Sequence, residues 1–202
     1  TKIIYAAKII PKLNIESKSQ LHLINKEIDI LSNITHPNIV KLFSTIELTN
    51  DKKEEFIILI EEFCPNGSLL NYVNTEGFKN KKEVRLVSRG ITEAIKYLHD
   101  EGIAHCDIKP ENILLTKDNI PKLCDFNLSK YIINADQTDR SCTLAYSAPE
   151  IHICKPIDFL RADIWTLGIT LFAISELRLP YSSIHEALNG KLIFSTRSKL
   201  LD

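Results

Sequence analysis

The chain has 202 residues, of which 44% are hydrophobic and 25% are charged, and its formal net charge is −1. This mixture is typical of a globular protein and excludes a disordered or fibrous one, while the near-zero charge excludes a strongly basic nucleic-acid binder. The five cysteines include no CxxC pair, which argues against a disulfide framework or a zinc site, so we expect a reducing, intracellular location.

The ends and the apolar runs of the sequence bear on targeting. No signal peptide opens the chain. The longest apolar run in a helical context, Ile164–Ser175, is shorter than the about 20 residues that a bilayer span needs, so we expect no membrane association. The chain has no methionine, so Thr1 is not an initiator residue, and we expect the sequence to be a piece of a longer protein or a processed form.

The N-terminal part of the chain alternates between strand and helix patterns. Ile3–Ile10 is apolar apart from Lys8, which predicts a strand buried on both faces. Apolar residues at helical spacing predict a helix over Ser17–Ile34. Strands are predicted at Ile39–Leu48 and Phe56–Ile60, on either side of a polar turn.

The pattern changes after Cys64-Pro65-Asn66-Gly67-Ser68, which is the strongest linker signal in the chain. Apolar residues at helical spacing then extend over Val84–Leu98. Two short strands, Ile113–Thr116 and Lys122–Cys124, bracket a polar turn. The segment Asp163–Ser175 is apolar nearly all round, which predicts a helix that is buried on every side.

The order of these elements predicts an α+β fold with two parts. Residues 1–61 form a small β-rich part with one helix, and residues 67–202 form a larger, mainly helical part. Residues 62–66 connect the two, because the Pro- and Gly-containing linker marks the change of pattern.

The turn between the two short strands predicts a pair of facing polar side chains. Asn112 and Asp125 are placed symmetrically about a turn whose midpoint falls between Asp118 and Asn119. Residues placed in this way lie opposite each other in a hairpin, so we expect an amide oxygen to face a carboxylate. Such ligands suit Mg²⁺ together with phosphate oxygens. The alternative is that both residues only cap loops at strand ends.

The segment His105–Asn112 concentrates charged and polar groups in a loop. Pro110 forces Lys109 into an extended conformation, so the segment is not helical. Loops between a helix end and a strand are places where function tends to concentrate. Asp107 is a candidate to accept a proton from a hydroxyl, and Lys109 is a candidate to hold a phosphate as a point charge.

Lys8 is an anomaly inside an apolar strand, because a lone buried ammonium is costly unless it is paired. Glu27, at the edge of the buried stripe of the following helix, is a candidate partner. The alternative is that Lys8 extends to solvent and Glu27 is simply hydrated.

Five motifs resemble, in the same order, those of the protein kinase family. His105–Asn112 is similar to the catalytic loop H-R-D-x-x-x-x-N, Asp125-Phe126-Asn127 to D-F-G, and Tyr5-Ala6-Ala7-Lys8 to V-A-I-K. Ala148-Pro149-Glu150 is A-P-E itself, and Asp163–Gly168 is similar to the family's buried helix motif. The resemblance covers nearly the whole chain, and the loop sequence Asp-Ile-Lys-Pro-Glu-Asn resembles the serine/threonine branch.

The resemblance implies the bilobal kinase fold and transfer of the ATP γ-phosphate, with Mg²⁺, to a serine or threonine hydroxyl of a protein substrate. By position, Lys8 would hold the α- and β-phosphates and Glu27 would orient it, while Asn112 and Asp125 would bind Mg²⁺. ATP and a protein substrate are therefore the expected partners. The family's Gly-rich loop and last helices have no counterpart in the sequence, so we expect both lobes to be incomplete.

The resemblance also assigns the transfer step. Asp107 would accept the proton of the substrate hydroxyl, Lys109 would stabilise the γ-phosphate, and Thr143 would contact both of them. A stack of side chains that links the two lobes would consist of Leu31, Leu42, His105 and Phe126.

The resemblance further implies a site for the adenosine moiety. Adenine would bind to backbone groups near Glu62 and Cys64, between Ala6 on one side and Leu114 on the other. Ser68 would reach the ribose.

The chain departs from the family pattern at positions linked to regulation. Cys106 replaces the arginine that normally binds a phosphate on the activation segment, and the usual phosphorylation position is Asp139. We therefore expect a kinase that is not switched by phosphorylation of this segment. Thr138 and Ser141 remain alternative phosphorylation sites if the alignment is displaced by a residue or so.

Two further departures lie near the nucleotide. Asn127 replaces the glycine after Asp125-Phe126, and we expect a modest conformational cost because asparagine tolerates a positive φ. Glu61 places a carboxylate at the back of the nucleotide pocket, where we expect it to narrow the pocket or to pair with a lysine.

Two other functions compete with a protein kinase. One is a catalytically silent pseudokinase or gene remnant that acts as a binding scaffold, and the missing Gly-rich loop favours it. The other is a small-molecule kinase, which the A-P-E motif and the long activation segment disfavour. Every side chain expected to touch phosphate, magnesium or the hydroxyl is present, which favours the enzyme.

Overall fold

The strands and helices are those of the computed structural model, in which residues 3–15, 17–153, 156–190 and 192–193 are described. The strands are β1 Tyr5–Pro11, β2 Leu42–Thr49, β3 Glu55–Glu62, β4 Ile103–Ala104, β5 Ile113–Leu115, β6 Pro121–Leu123 and β7 Lys130–Tyr131. The helices are α1 Lys18–Asn33, α2 Leu69–Thr75, α3 Lys81–Asp100, α4 Phe159–Glu176 and α5 Ile184–Asn189. None of the helices in these ranges is long and apolar enough to cross a membrane. Residues 194–202, the end of the predicted helical part, lie outside the described residues.

The first three strands form an antiparallel sheet in the order β1-β3-β2, in which Lys8 lies opposite Leu59 and Ala6 lies opposite Glu61. The prediction that the first strand is buried on both faces is wrong. β1 is an edge strand whose residues alternate between exposed and half-buried, and Ile9 is 58% exposed. Because side chains alternate along a strand, Ala6 and Lys8 share the less exposed face.

Helix α1 confirms the predicted helix, and both predicted end residues are its caps. At its start the Ser17 hydroxyl accepts a hydrogen bond from the Gln20 N–H at 3.2 Å, which satisfies one of the free donors of the first turn. Further along, Ile24 packs in one cluster with Leu59 of β3. This packing fixes α1 against the sheet and brings the fully buried Glu27 close to β1.

The connection after β3 is tied to the helical part by backbone hydrogen bonds. Gly67 has a φ of +67°, a conformation that glycine adopts without strain, and its N–H donates to the Cys64 carbonyl at 3.2 Å. The Leu115 N–H of β5 donates to the Gly67 carbonyl at 2.9 Å. Ser68 then caps α2, so the chain turns directly from the connection into a helix.

A single hydrophobic cluster extends from α1 into the helical part; its members include Leu31, Leu98, Leu115, Phe126 and Leu167. The prediction that the last long helix is buried on every side is wrong for one face of α4, where Ile164 is 56% exposed. The reason is that α4 packs against α3 and β4 on its other side, which carries the buried Asp163 and Ile169.

Candidate active site

A buried carboxylate holds the start of the loop that follows β4. Asp163 of α4 is 1% exposed and accepts hydrogen bonds from the backbone N–H groups of His105 at 2.7 Å and Cys106 at 2.8 Å. The His99 ring lies 3.1 Å from the same carboxylate. No role was predicted for Asp163 beyond its place in the buried helix motif. The sequence does contain a signal for such a role: Asp163 is an acid in an otherwise apolar helix, and a buried charge needs partners.

Asp107 is the centre of a closed hydrogen-bond network. The Lys109 ammonium lies 2.8 Å from its Oδ2, and the Thr143 hydroxyl donates to its Oδ1 at 2.5 Å. Lys109 also donates to the Thr143 hydroxyl at 2.9 Å, and the Asn112 amide donates to Asp107 Oδ2 at 2.7 Å. Burial raises the pKa of Asp107, but hydrogen bonds from Lys109 and Thr143 outweigh it and hold the pKa below its usual value. The carboxylate is therefore ionised and fixed in position.

Lys8 meets its predicted partner. Its ammonium lies 2.7 Å and 2.9 Å from the two carboxylate oxygens of Glu27 and 3.4 Å from Asp125 Oδ1. Burial lowers the pKa of Lys8, but the Glu27 carboxylate outweighs this effect and the pKa is raised overall. Lys8 is therefore a fixed positive charge beside Asp125.

The predicted pairing of Asn112 with Asp125 across the hairpin is wrong by one residue. The Cys124 N–H donates to the Asn112 carbonyl at 2.9 Å, so Asn112 is paired with Cys124. The loop 117–119 has three residues, so the strand pairing is symmetric about Asp118 and not about a point between two residues. The last loop residue, Asn119, takes a left-handed φ of 58°. Asp125 lies just past the paired positions and also has a left-handed φ, 62°.

The side chains of Asn112 and Asp125 have oxygen atoms to offer a cation. Within the described ranges, Asn112 uses its amide nitrogen for Asp107, and Asp125 uses only Oδ1, for Lys8 and for Asn127 at 2.5 Å. One amide oxygen and one carboxylate oxygen thus remain, a donor set that fits Mg²⁺. Among the described residues, no three His, Cys, Asp or Glu side chains converge on a metal position, so phosphate and water would complete the coordination.

The residues expected to bind adenine through their backbone lie at the end of β3. The Glu62 carboxylate pairs with Lys122 of β6 at 2.8 Å, so its side chain already has a partner. Cys64 is buried, and this burial raises the pKa of its thiol to about 11, so the thiol stays neutral. Within the described chain, the Cys64 N–H donates no backbone hydrogen bond and is available to a ligand.

The other residues expected near the nucleoside come from three separate segments. Ala6 lies on the less exposed face of β1, directly opposite Glu61. Leu114 of β5 is half-buried and forms a backbone bridge with Ser68. The Ser68 hydroxyl accepts from the Asn71 N–H at 3.3 Å as the cap of α2, so a ribose contact would have to use its O–H as the donor.

The chain is similar to known proteins over nearly its whole length. Residues 1–200 match the family model described as the protein kinase domain. The chain belongs to the protein kinase family. Its fold is accordingly the α+β fold expected from the sequence.

Three relatives show the extent of this similarity. A probable myosin light chain kinase of Dictyostelium discoideum is 37% identical over 94% of this chain, and a 3-phosphoinositide-dependent protein kinase B of the same organism is 36% identical over 92%. Sperm motility kinase 2B of Mus musculus is 31% identical over 85%. The matches cover 38%, 20% and 36% of these three proteins, so this kinase chain spans less than two fifths of each.

The two parts of the kinase chain are linked by the expected stack of side chains. Phe126 is fully buried, and its ring meets the His105 ring edge-on with centroids 4.9 Å apart. Leu31 belongs to the same hydrophobic cluster as Phe126, and Leu42 packs against it. The β-rich part and the helical part are thus joined through one apolar contact surface.

Two departures from the kinase pattern have structural outcomes. The positive φ expected at Asn127 occurs instead at Asp125, so asparagine carries no conformational strain here. Within the described chain the Glu61 carboxylate forms neither a hydrogen bond nor an ion pair, and the nearby Lys8 ammonium is held by Glu27. Burial raises the pKa of Glu61. The expectation that Glu61 narrows the pocket stays a prediction.

Proposed function

We propose that the protein is a serine/threonine protein kinase that transfers the γ-phosphate of ATP to a hydroxyl of a protein substrate. The observation that carries this proposal is the network in which Lys109, Thr143 and Asn112 all bond to the carboxylate of Asp107. An ionised carboxylate held by three partners is suited to orient a hydroxyl and to accept its proton.

In the proposed reaction, the oxygen of the substrate hydroxyl bonds to the γ-phosphorus as the bond between that phosphorus and the β–γ bridging oxygen breaks. The hydroxyl proton passes to Asp107, and Lys109 stabilises the negative charge on the transferred group. Lys8, fixed by Glu27, holds the remaining phosphates. Mg²⁺ held by Asn112 and Asp125 would neutralise phosphate charge.

Several features support the details of the substrate and the location. The Lys109-Pro110-Glu111 run, with Lys109 bonded to Thr143, supports serine and threonine as acceptors. Cys64, Cys106, Cys124 and Cys142 are free thiols, which supports a reducing, intracellular location. ATP and a protein are the proposed partners of the whole protein.

One observation favours a second candidate, a kinase-like scaffold that does not transfer phosphate. The Asn127 amide donates to Asp125 Oδ1 at 2.5 Å, where the family pattern has a glycine without a side chain. This hydrogen bond competes with a cation for one carboxylate oxygen and would weaken the metal site.

The test is an assay of phosphate transfer from γ-labelled ATP to a generic protein substrate, followed by identification of the labelled amino acid. We expect Mg²⁺-dependent label on serine or threonine and its loss in Asp125→Ala. The control Asp118→Asn changes an exposed carboxylate in the turn of the same hairpin and should keep the activity. Absence of transfer by the unmodified protein, with ATP binding retained, would support the scaffold, and label on tyrosine alone would contradict the acceptor.

A further inference from the structure

An ion pair joins the activation segment to the strand beside the catalytic loop. The Lys130 ammonium lies 2.9 Å from Asp139 Oδ2, and its side chain is only 8% exposed. Lys130 belongs to β7, where it is paired with Ala104 of β4, and it also lies over the Phe159 ring at 5.1 Å. The ammonium that pairs with Asp139 is therefore buried. Its strand, β7, is paired with β4, which leads directly into the catalytic loop.

The other carboxylate oxygen of Asp139 shapes the segment that follows. It accepts hydrogen bonds from the Ser141 N–H at 2.9 Å and the Ser141 hydroxyl at 2.7 Å. This turn leads to Thr143, whose hydroxyl bonds to Asp107. The segment 139–143 is thus attached at one end to Lys130 and at the other to the proposed catalytic carboxylate.

The position at which the family pattern has an arginine takes no part in this attachment. Cys106 stands where the family pattern has one, and it packs in the hydrophobic cluster that contains Ala104 and Phe159. Burial raises the pKa of its thiol, so the residue is neutral and brings no charge to the cluster. Lys130 therefore has a carboxylate as its counterion without any phosphate group.

We propose that Asp139 is a positioning residue: its ion pair with Lys130 holds the segment 139–143 against the catalytic loop, so that the reaction requires no phosphate on this segment. This inference rests on the proposed function, because it concerns the regulation of the same site. Asp139 acts through Thr143 and touches neither nucleotide nor substrate hydroxyl.

The same geometry reverses the usual effect of phosphorylation at Ser141. Its hydroxyl is bonded to Asp139, so a phosphate there would place two or nearly two negative charges beside the carboxylate. Repulsion would then separate Asp139 from Lys130 and release the segment. Phosphorylation of Ser141 should lower activity rather than raise it.

The first test compares Asp139→Asn, Asp139→Glu and Asp136→Asn by steady-state kinetics. Asp136 is a matched control, because it lies three residues before Asp139 and its carboxylate bonds only to nearby Thr138 among the described residues. We expect Asp139→Asn to lower kcat by about tenfold while the KM for ATP changes by less than about threefold, as for a misplaced catalytic group. Asp139→Glu should recover most of the loss, and Asp136→Asn should behave as the unmodified protein.

A second readout does not depend on activity. Trypsin cleaves after Arg140, within the attached segment, and cleavage there should be several times faster in Asp139→Asn than in the unmodified protein or in Asp136→Asn. Equal cleavage rates together with equal kcat values would overturn the inference. An unmodified protein without transfer activity would overturn the proposed function instead, and the proteolysis result would still decide whether the attachment exists.

The phosphorylation arm uses phosphatase treatment and Ser141→Glu. Removing phosphate should leave the activity of the unmodified protein unchanged, and Ser141→Glu should lower it, whereas Ser141→Ala should lower it less. A large loss of activity after phosphatase treatment would overturn the inference, as would a rise in activity in Ser141→Glu.

Discussion

The two sides of the proposed active site are held in different ways. On the transfer side, Asp107 bonds to three neighbours, and the backbone at the start of its loop is fixed by the buried Asp163. On the nucleotide side, Lys8 lies on an edge strand and depends on its ion pair with Glu27 of α1. The transfer side is thus a network within one packed region, whereas the nucleotide side joins a sheet edge to a separate helix.

This difference determines what a mutation should change. Because the transfer side is preorganised by buried contacts, breaking those contacts should affect both folding and turnover. The nucleotide side has a partly exposed lysine, so breaking its ion pair should affect nucleotide affinity first and stability by a smaller amount.

The largest effect on stability is expected from Asp163→Asn. The change removes the charge that accepts hydrogen bonds from the His105 and Cys106 backbone, and we expect a loss of about 3 kcal/mol in the free energy of unfolding. Urea unfolding measures it. The control Asp100→Asn, in an exposed pair with Lys96, should cost less than about 0.5 kcal/mol. Similar losses in both variants would show that Asp163 does not stabilise the start of the catalytic loop.

A smaller effect is expected from Lys8→Met, which leaves the buried Glu27 without its partner. We expect a loss of about 2 kcal/mol in the free energy of unfolding, part of which the double variant with Glu27→Gln recovers. Lys96→Met, which breaks an exposed pair, is the control. If the double variant is as unstable as the sum of the single ones, the pair is not coupled. Binding of ATP should be weakened in both Lys8 variants.

The Lys8–Glu27 pair was predictable because a lysine in an apolar strand and a glutamate beside a buried helical stripe each signal a missing partner. The hairpin register was predicted one residue away from the observed one, since strand patterns do not fix the number of residues in a turn. The pair of Lys130 with Asp139 was not predictable, because Lys130 looks like an ordinary surface charge until β7 folds against β4. Asp163 stands out in the sequence as an acid in an apolar helix, but its backbone partners are visible only in the fold.

A modest effect is expected from Asn127→Gly. The substitution removes the nearer of the two donors to Asp125 Oδ1 and leaves only the longer contact with Lys8, so we expect the Mg²⁺ concentration needed for half-maximal nucleotide binding to fall by about threefold. Asn127→Ala removes the same hydrogen bond without adding the freedom of glycine, so it should give the same shift. If only the glycine variant shifts, backbone freedom is responsible and not the hydrogen bond.

The smallest effect concerns acid stability. Burial raises the pKa of Asp139, but its hydrogen bonds from Ser141 and Lys130 outweigh this and lower the pKa to about 2. A lowered pKa stabilises the fold above the usual carboxyl pKa, and this contribution is lost as the pH falls from about 4 toward 2. The difference in free energy of unfolding between the unmodified protein and Asp139→Asn should therefore shrink across this range. A difference that is constant with pH would contradict the ion pair.

The contrast between the two sides is tested most directly by measuring ATP binding and turnover together in Asp107→Asn. We expect the Kd for ATP to stay within about threefold of the unmodified protein, because the nucleotide side is intact, and kcat to fall by about 10² to 10⁴. Lys8→Met, measured in parallel, should weaken ATP binding. A loss of ATP binding in Asp107→Asn, or turnover that survives the substitution, would contradict a transfer side that is separate from the nucleotide side and centred on this carboxylate.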